Sequence, residues 1–179
     1  MKKEKYTAMK SVVIFVSILL ILGLNAEGQN LIPNNSFETY SSCPNSNGQI
    51  DTATGWSSPE NQTGSPDYMH TCGSNGVAEV PTNTYGYQNP QDGNAYVFMV
   101  FHADFLPDRR EYIQTQLSSP LTAGKTYDIS FYVSLANECE WECNNFGCHF
   151  SDTAIKGYGS ALALTSYTPQ FEYTSRVSD

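Results

Sequence analysis

Between Glu111 and Ala136 the chain reads EYIQTQLSSPLTAGKTYDISFYVSLA, an alternation of apolar and polar residues broken once by a Pro and Gly turn. In its second half Tyr127, Ile129, Phe131, Val133 and Leu135 fall on one face of an extended chain, and Thr126, Asp128, Ser130 and Ser134 on the other, because successive side chains of a strand point to opposite sides. The first half alternates likewise, with Ile113, Thr115 and Leu117 opposite Tyr112, Gln114 and Gln116. Two such strands joined through Pro120 to Gly124 predict a sheet with one wet face, and so a β-sandwich or a barrel.

Other segments point the same way. Residues 41–94 are rich in Ser, Thr, Asn, Gly and Pro and show no apolar period of 3.6, so strands and long loops carry them. Asn94 to Phe101 is apolar on both faces, which predicts a strand covered on both sides. Phe146, Cys148 and Phe150 alternate with Gly147, His149 and Ser151 as a return strand would. Beyond Asp152 the pattern weakens, with Ala161 to Leu164 as a short candidate. Roughly six to eight strands result, near the lower limit for a sandwich, and the domain is expected to be incomplete at its C-terminus.

The first residues set the compartment. Lys2, Lys3, Lys5 and Lys10 precede an apolar run from Val12 to Leu24, and Ala26 and Gly28 supply the small residues of a cleavage site before Gln29. That run is shorter than the ~20 apolar residues of a membrane span, so residues 1–28 read as a signal peptide and 29–179 as one β-sandwich domain with no transmembrane anchor. A secreted or cell-surface location, including the outer membrane, follows. Cleavage leaves five basic and sixteen acidic residues, a balance that repels phosphate backbones and excludes nucleic acid as a partner.

Five cysteines lie after the cleavage point, and export makes disulfides their default state. A loop as long as the one through Trp56 and Tyr68 needs an internal tie, which Cys43 and Cys72 are placed to supply. The cluster Cys139, Cys143, Cys148 and His149 is a weak match to zinc spacing, and a disulfide within it is expected instead.

NLIPNNSFE at 30–38, DGNAYVFM at 92–99 and YIQTQLSSPLTAGKTYDISFYVSLA at 112–136 resemble, in order and spacing, a galactose-binding-like jelly-roll β-sandwich of the carbohydrate-binding-module kind. More closely, Ser36 to Glu38, Ser41 to Pro44, Gly55 and Trp56, Pro66 to Tyr68 and Gly86 to Gln88 resemble the N-terminal region of exported surface proteins of gliding, type IX-secreting bacteria. Such proteins often continue into an OmpA-like or sorting domain. The resemblance implies a structural calcium at Glu38, since a hard cation takes carboxylate and carbonyl oxygens; a solvated carboxylate, or one paired with Arg109 or Arg110, is the competing role. Asn35 stands where the signature favours Gly, at a place suited to a positive φ.

Catalytic patterns are thin. His70, His102 and His149 fall in no nucleophile or metal motif, and His102 with Asp104 reads as a solvated polar loop. Glu138, Glu140 and Glu142 around Trp141 read as a charged loop tip rather than a glycosidase pair. Binding is better supported: twelve Tyr, nine Phe and two Trp are available to stack on sugar rings, while Asn, Gln and Asp take the hydroxyls. Trp141, Trp56, Tyr68 and Tyr87 are the candidate carbohydrate-binding residues, although Trp56 and Tyr68 also suit a core beneath a long loop. The expected function is that of a non-catalytic surface module with a glycan or cell-envelope component as partner; a structural or anchoring module of a larger envelope protein is the alternative.

Overall fold

The computed structural model describes residues 28–59, 64–106, 108–139, 141–157 and 163–177. Residues 1–27 of the expected signal peptide lie outside the described residues, as do the first two residues of the candidate strand at 161–164. Among the described residues no helix is long and apolar enough to cross a membrane.

The described residues are all-β, and their one helical element is a 3-10 turn at Ile50–Thr52. Eight short strands follow: β1 (Trp56–Ser57), β2 (Asp67–His70), β3 (Thr82–Asn83), β4 (Gly86–Tyr87), β5 (Ala95–Phe98), β6 (Gln114–Thr115), β7 (Phe146–Cys148) and β8 (Phe171–Tyr173). They pair as β1-β6, β2-β5, β3-β4 and β7-β8, each an antiparallel two-stranded ladder.

The ladder β2-β5 is the centre of the molecule because both of its faces are apolar. Tyr68 stands opposite Val97 and Met69 opposite Tyr96, so alternation sends each pair to a different side. On one side Tyr68, Ala95 and Val97 pack with Ile50, Ala53, Phe37, Trp56 and Ile113. Across the ladder Met69, Tyr96 and Phe98 pack with Ala78, Val80 and Tyr85, the Tyr85 and Phe98 rings stacked 3.7 Å apart. Tyr68 and Met69 are wholly buried, and each such side chain stabilises the fold by about 1.5–3 kcal/mol. The expectation that Asn94 to Phe101 is covered on both faces is met over β5.

Cys43 and Cys72 form a disulfide with Cα atoms 5.5 Å apart. It closes the long segment leading into β2, as its spacing predicts. Pro44 and Asn45 then accept hydrogen bonds from Ser74 and Asn75, so the two sides of the tie run together.

Two buried carboxylates hold the loops to this centre. Asp67 accepts the Gly48 N–H and, at 2.9 Å, the Tyr85 hydroxyl; burial pushes its carboxyl above the usual range. Glu111, 1% exposed, accepts the N–H of Ser65 at 3.0 Å and of Val100 at 2.8 Å, and the Arg109 guanidinium at 2.8 Å. Buried polar groups need such partners, and here each supplies an acceptor to otherwise orphaned backbone donors.

Several expectations need correction. Residues 125–135 belong to no strand, and Tyr127, Phe131 and Val133 remain 39%, 39% and 43% exposed. An alternating segment becomes a strand when a neighbour takes its hydrogen bonds and a second layer covers its apolar face; the described ladders supply neither. The strand before it shrinks to β6. The return strand appears as β7, but its partner is β8 rather than 125–135. Positive φ falls on Asn34 (49°) and Phe37 (63°), not on Asn35: the Asn34 side chain bonds Thr39 and Thr54, and that turn sets the backbone.

Candidate functional site

The aromatics singled out in the sequence are not gathered into one platform. Tyr68 is wholly buried, and its hydroxyl donates to the Phe37 carbonyl at 2.7 Å. Trp56 sits in β1 opposite Thr115, with its ring 4.9 Å from Phe37 and its indole N–H donating to the Asn34 carbonyl. Tyr68 therefore offers no face to a ligand, while Trp56 is half-buried against the core, and neither lines the groove beside Trp141. Tyr87 is 57% exposed at the end of the β3-β4 hairpin. Trp141, 56% exposed, is the candidate that lies on a concavity.

That concavity is an open groove of about 430 Å³ between two loops. His102, Asp104, Phe105 and Arg109 line it from one side, and Glu138, Cys139 and Trp141 from the other. The first loop leaves the chain after Val100 and returns at Glu111, and the two ends are clamped. Glu111 donates its backbone N–H to the Val100 carbonyl at 3.0 Å while its carboxylate accepts the Val100 N–H. Arg110 then donates to the carbonyls of Phe101 and Arg109, both at 2.6 Å. Closing a loop at its base this way fixes the direction of the residues it carries.

The second wall is held from below by Asn137. Its side-chain oxygen accepts the Tyr87 N–H at 2.7 Å. Gly86, at φ +117°, has no side chain because a Cβ there would lie 2.7 Å from that same oxygen. The loop then turns through a Cys139 N–H to Ala136 carbonyl bond and presents Trp141. The walls meet where the His102 ring stands edge-on to Trp141, centroids 5.8 Å apart, and His102 Nε2 lies 3.0 Å from Asp104 Oδ1.

The groove has the parts of a small-ligand site. Two aromatic side chains face solvent, Trp141 and the 83% exposed Phe105. Polar groups ring them: His102, Asp104 and Glu138. Arg109 also lines it, with one guanidinium nitrogen on Glu111 and its Nε buried without a hydrogen-bond partner. Its volume falls within the ~300–1,000 Å³ of ligand clefts.

Glu38 lies elsewhere. Its carboxylate accepts the Asn94 backbone N–H at 2.6 Å and the Asn94 side-chain amide at 3.0 Å. Burial pushes this carboxyl up, but the Asn94 bonds and the His70 charge outweigh it and hold the group below its ordinary value. Neither Arg109 nor Arg110 is its partner. The Asn94 N–H groups engage both oxygens of the carboxylate at which the resemblance implies a structural calcium. Among the described residues no group of three or more His, Cys, Asp or Glu side chains could hold a metal ion.

The disulfide expected among the later cysteines does not form: Cys139, Cys143 and Cys148 are free thiols. Cys143 is bridged through its backbone to Val177, Cys148 is fixed in β7 opposite Phe171, and the Cys139 thiol donates to the Trp141 carbonyl at 3.3 Å. Burial pushes the Cys143 and Cys148 thiols up, away from the reactive thiolate form.

The sequence reading found Trp141 but not the groove. Its opposite wall comes from HADFLPDRR at 102–110, a charged stretch between two apolar ones. Five acidic and basic residues around Phe105 in such a connection were the available signal. Comparison with known proteins adds no relative: no family model, curated protein or solved structure matches the chain.

Proposed function

We propose that this chain is a non-catalytic, exported surface module that binds carbohydrate in the groove beside Trp141. The observation that carries the reading is the pairing of an exposed indole with hydrogen-bonding side chains on two clamped loops. Sugars present flat C–H faces that stack on an indole, and their hydroxyls need donors and acceptors around it. Asp104, His102 and Glu138 supply both kinds at the groove.

A binding role is favoured over catalysis by the state of the groove's nucleophile. The Cys139 thiol donates to the Trp141 carbonyl rather than to a histidine. A nucleophile and its base need to be within hydrogen-bond reach of each other. The galactose-binding-like jelly roll belongs to this proposal as well, supported by the antiparallel β2-β5 ladder in the segments that carry the resemblance. Export to the cell surface or outer membrane rests on the N-terminal sequence alone.

The test is a glycan array probed with residues 29–179 and with its Trp141→Ala variant. Binding lost in Trp141→Ala but kept in Tyr87→Ala supports the groove. Unchanged binding by Trp141→Ala to every positive glycan removes Trp141 from the site.

A second reading, a structural or anchoring module of a larger envelope protein, is favoured by one feature. Tyr132 is 78% exposed beside Phe131, Val133, Phe171 and Tyr173, an apolar surface more extensive than scattered single residues. Silence on the array, with a folded protein, favours this reading over the first.

A further inference from the structure

Resting on that glycan reading, we infer that the groove selects sugars carrying free amino groups over N-acetylated, neutral and acidic ones. The selection follows from charge. Asp104 and Glu138 stand exposed on opposite walls, the first beside the exposed Phe105 and the second beside the exposed Trp141. Arg109, the cation on the lining, already has its guanidinium on Glu111 at 2.8 Å. His102 is held against Asp104. Among the described residues Glu138 is then the carboxylate of the lining with no cation against it, and an indole face adds its own attraction for a cation.

Such a surface suits a glucosamine unit. Its pyranose C–H face stacks on the indole and its ammonium reaches Glu138, with the His102-bound Asp104 across the groove, whereas an N-acetyl group cancels that charge and a uronate carboxylate reverses it. The acidic excess of the whole chain, sixteen acidic against five basic residues after position 28, works in the same direction at longer range.

Isothermal titration with equal-length oligomers of glucosamine, N-acetylglucosamine and galacturonate decides the matter, at mildly acidic pH where the amines are protonated and side-chain carboxylates ionised. The glucosamine oligomer should bind tightest, about tenfold over its acetylated form, from one cation–π contact and one or two exposed ion pairs. The double variant Asp104→Asn, Glu138→Gln should lose that ratio. Asp128→Asn and Glu172→Gln, exposed acids off the groove, should keep it. The indole N–H signal of Trp56, bonded to Asn34, reports that each variant is folded.

Equal binding of the amino and N-acetylated oligomers, or tighter binding of galacturonate, overturns the inference and leaves the glycan reading standing. Retention of the ratio in the double variant overturns it too, since the charge would then act from elsewhere. Binding of none of the three sugars by the wild type sinks both. A lysine-rich peptide held in the groove more tightly than the glucosamine oligomer overturns it in favour of a protein ligand.

Discussion

Glu111→Ala should unfold much of what positions the groove, and its cost can be worked from the contacts. The carboxylate is 1% exposed and accepts two backbone N–H groups and one guanidinium. Removing one member of a buried, hydrogen-bonded charge pair costs about 3–5 kcal/mol, and the cost falls toward the lower end here because Arg109, 22% exposed at the groove, keeps some access to water. The N–H groups of Ser65 and Val100 lose their acceptor as well, at about 1–3 kcal/mol for each that water cannot reach. Against the ~5–15 kcal/mol by which domains are stable, Glu111→Ala is expected to lower stability by about 4 kcal/mol or more. Urea denaturation of residues 29–179, followed by tryptophan fluorescence, measures this. Pairing Glu111→Leu with Arg109→Met should be less harmful than the sum of the two single changes, since both charges then leave together. A loss below about 1 kcal/mol for Glu111→Ala would refute the clamp, for it would mean that the carboxylate is solvated or readily replaced by water.

Other expectations concern the scaffold. Replacing Cys43 and Cys72 by Ser opens a closure of 29 residues, and the midpoint in urea should fall by the equivalent of about 3–4 kcal/mol. Gly93→Ala places a Cβ 2.4 Å from the Glu38 carboxylate in a backbone with φ +67°; a destabilisation of about 1–3 kcal/mol is expected from strain and the displaced anchor. Tyr68→Phe removes the hydroxyl bonded to Phe37, should cost about 1 kcal/mol, and should leave glycan binding unchanged, as calorimetry can check. The pH dependence has a definite sign. Burial holds the His70 imidazole below its ordinary value of 6.5, Glu38 is held below 4.5, and in both cases the unfolded chain binds protons more readily. Their contribution is complete above the unfolded values and is lost as pH falls through the folded ones. Denaturation curves of wild type and His70→Asn should therefore diverge as pH drops below 6.5; parallel curves would contradict the assignment.

What could be read in the sequence was what depends on near neighbours. The two-sided apolar run at 94–101 became β5 because both of its faces found cover, and Cys43 found Cys72 across the loop they close. The 125–136 stretch carried an equally clear alternation and yet forms no ladder. Alternation states what a strand would need, and pairing depends on distant residues that the local pattern does not name. At the site, Trp141 was legible as an aromatic among acids on a loop. Its groove was not, because the facing wall is aimed by Glu111 and Arg110 and the Trp141 wall by Asn137, each acting through backbone atoms of other segments. No spacing rule encodes such clamps. Tyr68 and Trp56 show the converse: an aromatic in a polar stretch goes to the core when a buried ladder runs beneath it.

The groove claim meets its most direct test in the two indole N–H signals of a nitrogen-labelled sample. Trp56 and Trp141 are the two tryptophans of the chain, one bonded inside the scaffold and the other exposed on the groove. On titration with oligosaccharides of glucosamine, N-acetylglucosamine and glucose, the Trp141 signal should move saturably while the Trp56 signal stays in place. Movement of Trp56 alone, or of neither with any of these sugars, would contradict a glycan site beside Trp141.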